Sequence, residues 1–230
     1  MREPYGMLGG IGFPIILLLI FGYISKAVPG NVSNTGLTVI DLYIPTMIVI
    51  SFISIATSLP STLVRDREIG WLRRVSTTPL HPSRLLAAHL IFNLVFAVAA
   101  ILIITLGGSF GFGATLHVRV LPFGISIVLA IAVIFSFSLV IVALAPSQAV
   151  GSAIAGVLFF VLLFLAGLWV QPAQIGEPWS TVMYYSPSGA AAKALLDSAF
   201  SGNLPWAAWG TMVVYTAVFG FIAIRYFRWE

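Results

Sequence analysis

Between positions 65 and 74 the chain places Arg65, Asp66, Arg67, Glu68, Arg73 and Arg74, six of its eighteen charged residues, in a sequence of 230. On a helix from about 64 to 79, Val64, Ile69, Leu72 and Val75 share one arc, and Asp66, Arg67, Arg73 and Arg74 share the opposite one. Arg65 and Glu68 intrude on the apolar arc, where a spacing of three lets them pair. Pro79 and Pro82 then end the helix. Basic clusters beside a membrane commonly bind anionic headgroups, but the acids interleaved here suit docking against another protein. Two readings follow, a protein-docking helix and a lipid anchor on a non-transporting scaffold.

Other chemistries find no support in the pattern. The lysines Lys26 and Lys193 follow serine and alanine, so neither belongs to a phosphate-binding Gly-Lys-Ser/Thr loop. His81, His89 and His117 are dispersed with no carboxylate at metal-ligand spacing, and Asp41, Glu177 and Asp197 form no acid–base pair. An intramembrane serine nucleophile has no visible base. The expectation is a chain with no catalytic residues, no metal and no cofactor of its own, and a net charge of +4 is too weak to suggest nucleic acid.

The elements that must position the charged segment are membrane spans. Hydrophobic residues make up 60% of the chain and charged residues 8%, against about 25% charged in soluble domains. Apolar runs at 11–28, 41–63, 85–106, 120–145, 149–171 and 206–226 approach the ~20 residues that cross a bilayer as a helix. The first run lacks a small-residue cleavage site and is expected to stay as a span. The chain thus reads as one all-α domain of six transmembrane helices, 1–230, with the charged helix between spans 2 and 3. Their cores hold no Asp, Glu, Lys or Arg, which disfavours transport driven by proton or sodium gradients.

Orientation follows from arginine and lysine in the loops. With both termini cytoplasmic, Arg2, Arg65, Arg67, Arg73, Arg74, Arg84, Arg225 and Arg228 lie inside, and Lys26, Arg119 and Lys193 outside. Asp41 is expected to cap span 2, and Ser186-Pro187 to start a short outer helix, re-entrant or interfacial, that leads to Trp206 and Trp209 in an aromatic belt. His89 reads as a histidine hydrogen-bonded within the bundle.

Small residues mark contacts between spans. Ser51, Ser54, Ser58 and Ser61 recur at steps of three and four on span 2, as packing glue or as the lining of a path. Gly151 with Ala155 and Ser152 with Gly156 form small-xxx-small pairs on span 5, followed by Phe159, Phe160 and Phe164 as a candidate aromatic wall.

The stretch "DREIGWLRRVSTTPLHPSRLLAAHL" resembles the cytoplasmic loop of ABC-2-type exporter permeases, approximately R-E-x-G-T-L-E-R-L-x-x-T-P. Arg67, Glu68, Gly70, Leu72, Arg74, Thr78 and Pro79 match without a gap, and "REPYG", "GFPIILLLIFG" and "YYSPSGAAAKALL" extend the likeness over nearly the whole chain. The resemblance implies a coupling helix that docks on a separate ATPase subunit, which holds ATP and Mg, and a second permease, identical or paralogous, across the export path. It implies ATPase coupling for Arg65, Asp66, Arg67, Glu68, Gly70, Trp71, Arg73, Arg74, Thr78 and Pro79, in a cell membrane such as the bacterial inner membrane. Trp71 and Arg73 stand where the family often has Thr and Glu, which points to a dedicated partner. The small outer segments favour a small amphipathic drug or lipid-like cargo, with a lipid-linked glycan as the alternative.

Overall fold

The computed structural model describes residues 4–27, 37–69, 82–115, 119–201 and 203–226, and among them every regular element is helical. In chain order these are α1 (Pro4–Ala27), α2 (Val39–Ala56), α3 (Ser58–Glu68), α4 (Pro82–Leu106) with a π-helical turn at Gly107–Gly111, α5 (Val120–Leu144), α6 (Gln148–Leu165), α7 (Trp179–Tyr184), α8 (Pro187–Phe200) and α9 (Trp206–Tyr226). A 3-10 turn, Pro172–Gln174, precedes α7.

Among the described residues, five stretches are long and apolar enough to cross a membrane: Val39–Glu68, Ala88–Gly111, Val120–Leu144, Gln148–Leu165 and Trp206–Tyr226. Within α1, a helix of 24 residues, the apolar stretch among the described residues is Gly12–Ala27.

Helix α2 is the centre of the bundle. Every residue from Ile44 to Ala56 is buried, as expected of a helix apolar all round, and α1, α4, α5 and α8 pack about it. Phe21 of α1 stacks on Tyr43 with ring centroids 4.1 Å apart. Helices α5 and α9 form the most extensive pair, joined in part by an edge contact of Phe137 on Phe219.

The expected second span, 41–63, is interrupted at Thr57, and the residue responsible is Pro60. Proline has no N–H to give the carbonyl of Ala56 four residues back, and its ring crowds that carbonyl. A buried carbonyl must be paired, and Ser138 of α5 supplies the hydroxyl at 2.5 Å. The serine stripe is therefore split, with Ser51 and Ser54 on α2, and Ser58 and Ser61 on α3.

The fifth expected span also stops early, at Leu165 and not 171. Gly167 adopts φ +85°, its N–H reaches Phe164 O at 3.0 Å, and the Leu168 N–H reaches Leu163 O at 3.3 Å. This paired closure around a left-handed glycine ends a helix, and Leu163 and Leu168 add the accompanying apolar contact.

At the N-terminal end of α2 the cap is Thr38, one turn before the expected Asp41. Asp41 is the third helical residue of a reciprocal capping box, with its Oδ2 accepting from the Thr38 N–H (2.9 Å) and hydroxyl (2.6 Å). Its Oδ1 accepts the Thr115 N–H at 2.8 Å, tying the loop after α4 to α2. Asp41 is 1% exposed, and Asp41→Ala removes a buried acceptor from the part-buried donors of Thr38 and Thr115, which should destabilise the protein by about 1–3 kcal/mol. Thermal unfolding in detergent checks this; an unchanged midpoint would show that the tie to Thr115 carries no stability.

Ser186 does cap α8, accepting the Gly189 N–H at 3.0 Å, with Pro187 in the first turn. Trp209 departs from the expected belt. It is 8% exposed and donates from Nε1 to Ser126 Oγ at 2.8 Å, and Ser126 shares a 2.9 Å hydrogen bond with Ser198 of α8. Trp206 is the exposed member of the pair.

Candidate cytoplasmic coupling site

The charged segment begins on α3, whose Leu59, Pro60, Leu63 and Val64 are buried. Helix α3 starts at Ser58, six residues before the expected docking helix, and ends at Glu68 with Ile69 as its C-cap. Gly70, Trp71, Arg73, Arg74, Thr78 and Pro79 lie outside the described residues.

The last turn of α3 sends its charges in two directions. Asp66 Oδ2 lies 3.8 Å from His89 Nε2 on α4, so the bundle histidine has a carboxylate beside it. Arg67 and Glu68 point instead at the tight turn between α5 and α6. The Arg67 guanidinium donates to the Ala145 carbonyl, and Glu68 Oε1 accepts the Gln148 N–H at 2.8 Å. Gln148 is the first residue of α6, whose N-cap, Ser147, accepts from Val150 N–H at 3.3 Å. A helix start has donors without intrahelical partners and a positive dipole end, so a carboxylate there is favoured on both counts.

Packing reinforces these bonds. A Cβ on Gly151 would sit 3.2 Å from Ala145 Cβ, 3.6 Å from Val64 Cγ2 and 3.8 Å from Pro60 Cβ, so the missing side chain lets α6 close on α3. Ala155, one turn further, is buried as well, whereas Ser152 and Gly156 are exposed. Only the first small-residue pair therefore packs within the chain. Around the junction is an open cleft of about 540 Å³ lined by Arg67, Glu68, residues 143–146 and Tyr226.

The candidate path residues do not form one surface. Ser51 and Ser58 donate back to the carbonyls of Met47 and Ile55, as serines in helices often do. Ser54 Oγ is buried and has no hydrogen-bond partner among the described residues. Phe159 turns inward against Phe13, with centroids 5.8 Å apart, while Phe160 and Phe164 are 61% and 44% exposed. Successive helical residues are ~100° apart, which sends Phe159 and Phe160 in different directions although their rings still meet edge to face at 5.5 Å.

Sequence reasoning missed Ala145 and Gln148, because their contribution is backbone. The available signal was Pro146-Ser147 in a short loop, a turn followed by an N-cap.

A family model of the ABC-2 type transporter matches residues 1–200. The chain belongs to the ABC-2 type transporter family. A relative from Cyanophora paradoxa named "Putative transport permease ycf38" is 30% identical over 190 residues, covering 79% of this chain and 63% of the relative. This ABC-2 family chain thus spans less than two thirds of that protein. The matched residues include α3 with Arg67 and Glu68.

Proposed function

We propose that the chain is the membrane-spanning subunit of an ATP-driven exporter, paired with a second permease, identical or paralogous, and with separate ATPase subunits that hold ATP and Mg. Six spans, including α1, cross a cell membrane with both termini cytoplasmic. The cargo is a small amphipathic drug or lipid-like molecule.

One observation carries this reading: the end of α3 is fastened by its charges to a polypeptide turn and to His89. A lipid anchor would turn its arginines to headgroups, whereas Arg67 is occupied by the Ala145 carbonyl. A loop held in this way passes a push on residues 65–79 into the bundle. ATP-driven approach of two ATPases supplies such a push, shifting populations of the permease pair. The exposed face of α6 with Ser152, Gly156, Phe160 and Phe164 is where the second permease and the cargo meet this one.

Co-expression with the ATPase encoded beside it, and purification through a tag on the permease, should retain an ATP-hydrolysing partner. Arg74→Ala should weaken that retention. A folded permease that retains no ATPase would return the segment to the lipid-anchor reading.

A further inference from the structure

Helix α6 is fastened at both ends, and much of its surface between them is exposed in this chain. At its cytoplasmic end Glu68 accepts the Gln148 N–H, Arg67 holds the preceding Ala145 carbonyl, and Gly151 lies against α3. At its outer end Ser188, in the first turn of α8, donates its hydroxyl to Leu162 O at 2.9 Å. One residue on, a Cβ at Gly189 would lie 2.8 Å from Leu165 O, so α8 begins in direct contact with the last turn of α6. Between the ends, the buried residues of α6 are only Gly151, Ala155, Leu162 and Leu163. Eighteen helical residues make a strut of about 27 Å, and a helix resists compression along its axis because every turn is hydrogen-bonded to the next.

We propose that α6 is the link that carries displacement of the α3 end to the outer helical pair α7–α8, with Glu68 and Ser188 as positioning residues at its two ends. The inference rests on the exporter reading, which supplies the displacement. It adds the route by which a cytoplasmic event reaches the outer face. Glu68 acts at the start of the strut; Ser188 acts at its finish, buried and bound to a main-chain carbonyl of α6.

The helix start offers a narrow test. Ser147 is extended (φ −143°, ψ 158°), a conformation that tolerates a following proline, and proline is favoured at the first position of a helix. Gln148→Pro therefore deletes the N–H that Glu68 accepts and leaves the helix in place, the exposed Glu68 side chain swinging clear of the proline ring. Gln148→Ala keeps that N–H. The chain has no cysteine, so Tyr185→Cys, at a 55% exposed position between α7 and α8, gives a single reporter thiol.

The permease–ATPase complex carrying Tyr185→Cys, in lipid nanodiscs, is labelled at that thiol with an impermeant maleimide, with and without ATP and orthovanadate. The rate is read by mass spectrometry of the peptide that contains position 185. The Tyr185→Cys parent and Gln148→Ala should show a nucleotide-dependent change of about 5-fold or more, the scale of an ordinary coupling energy. In Gln148→Pro and in Ser188→Ala the ratio should fall to near one while ATP hydrolysis persists. An equal response in all four proteins overturns the link, as does a retained, active ATPase with no response in the parent, or loss of response in Gln148→Ala. Failure to retain any ATPase is a different result, and it overturns the exporter reading beneath.

Discussion

Gly189→Ala is expected to leave little folded permease in the membrane. The added Cβ would lie 1.9 Å from Met183 O and 2.8 Å from Leu165 O, both backbone atoms at the ends of α7 and α6. Neither can rotate away, so the first turn of α8 must withdraw from both helices. Withdrawal also breaks the Ser188 bond to Leu162 and the Ser186 cap, in a region where Ala190, Ala191 and Ala194 are fully buried. Overpacking a core with flexible side chains costs about 1–3 kcal/mol, and a collision with fixed main chain belongs at or above the top of that range. Gly210→Ala and Gly220→Ala on α9 are the comparison, since a Cβ there meets nothing within 4 Å. Those variants should insert and melt like the parent. Detergent-extracted yield and thermal unfolding decide the matter, and a Gly189→Ala protein with parental stability would mean that α8 does not seat as described.

Glu68→Ala should uncouple the transporter without unfolding it. Glu68 is exposed, and the lost bond to Gln148 N–H resembles loss of a helix cap, about 0.5–2 kcal/mol. That is tolerable for a chain of this size. Under the proposed coupling the effect on function is larger, because α3 then moves without drawing the start of α6 along. ATP hydrolysis by the assembled complex should persist, while efflux of an amphipathic dye exported by the parent falls by about 5-fold or more. Glu68→Gln keeps an acceptor oxygen and loses only the favourable meeting of charge and helix dipole, about 0.3–1 kcal/mol, so it should fall between the two. Should membrane-inserted protein and efflux decline in equal measure, Glu68 would be a folding residue with no part in coupling.

Which features were legible in the sequence depends on the range of the interaction behind them. Ser186-Pro187 announced α8 because a cap and a first-turn proline act within four residues. The mixed charges of 65–68 marked a segment that needs partners in so apolar a chain, but their partners within the chain, Ala145, Gln148 and His89, could not be read from them. The two shortened helices were readable in principle from Pro60 and Gly167, but their apolar surroundings hid breaks that are set by backbone geometry alone. Trp209 was misplaced in an interfacial belt, since nothing near it in sequence reveals that Ser126, 83 residues away, turns its indole inward. Ala145 and Gln148 were invisible for another reason: they offer a carbonyl and an N–H, which every residue has, and only the tertiary fold brings those groups to Arg67 and Glu68.

The pairing of Ala56 with Ser138 has a consequence for biosynthesis. Pro60 denies the Ala56 carbonyl its usual donor, and the replacement hydroxyl lies 82 residues later in the chain. At the speed of a ribosome that separation is roughly 4 to 16 s, at about 5–20 residues per second. Throughout that interval the emerging second span carries a polar group that hydrocarbon cannot satisfy. Newly made α2 and α3 are thus better kept beside a wet insertion channel than released to lipid, until α5 arrives and seals the defect.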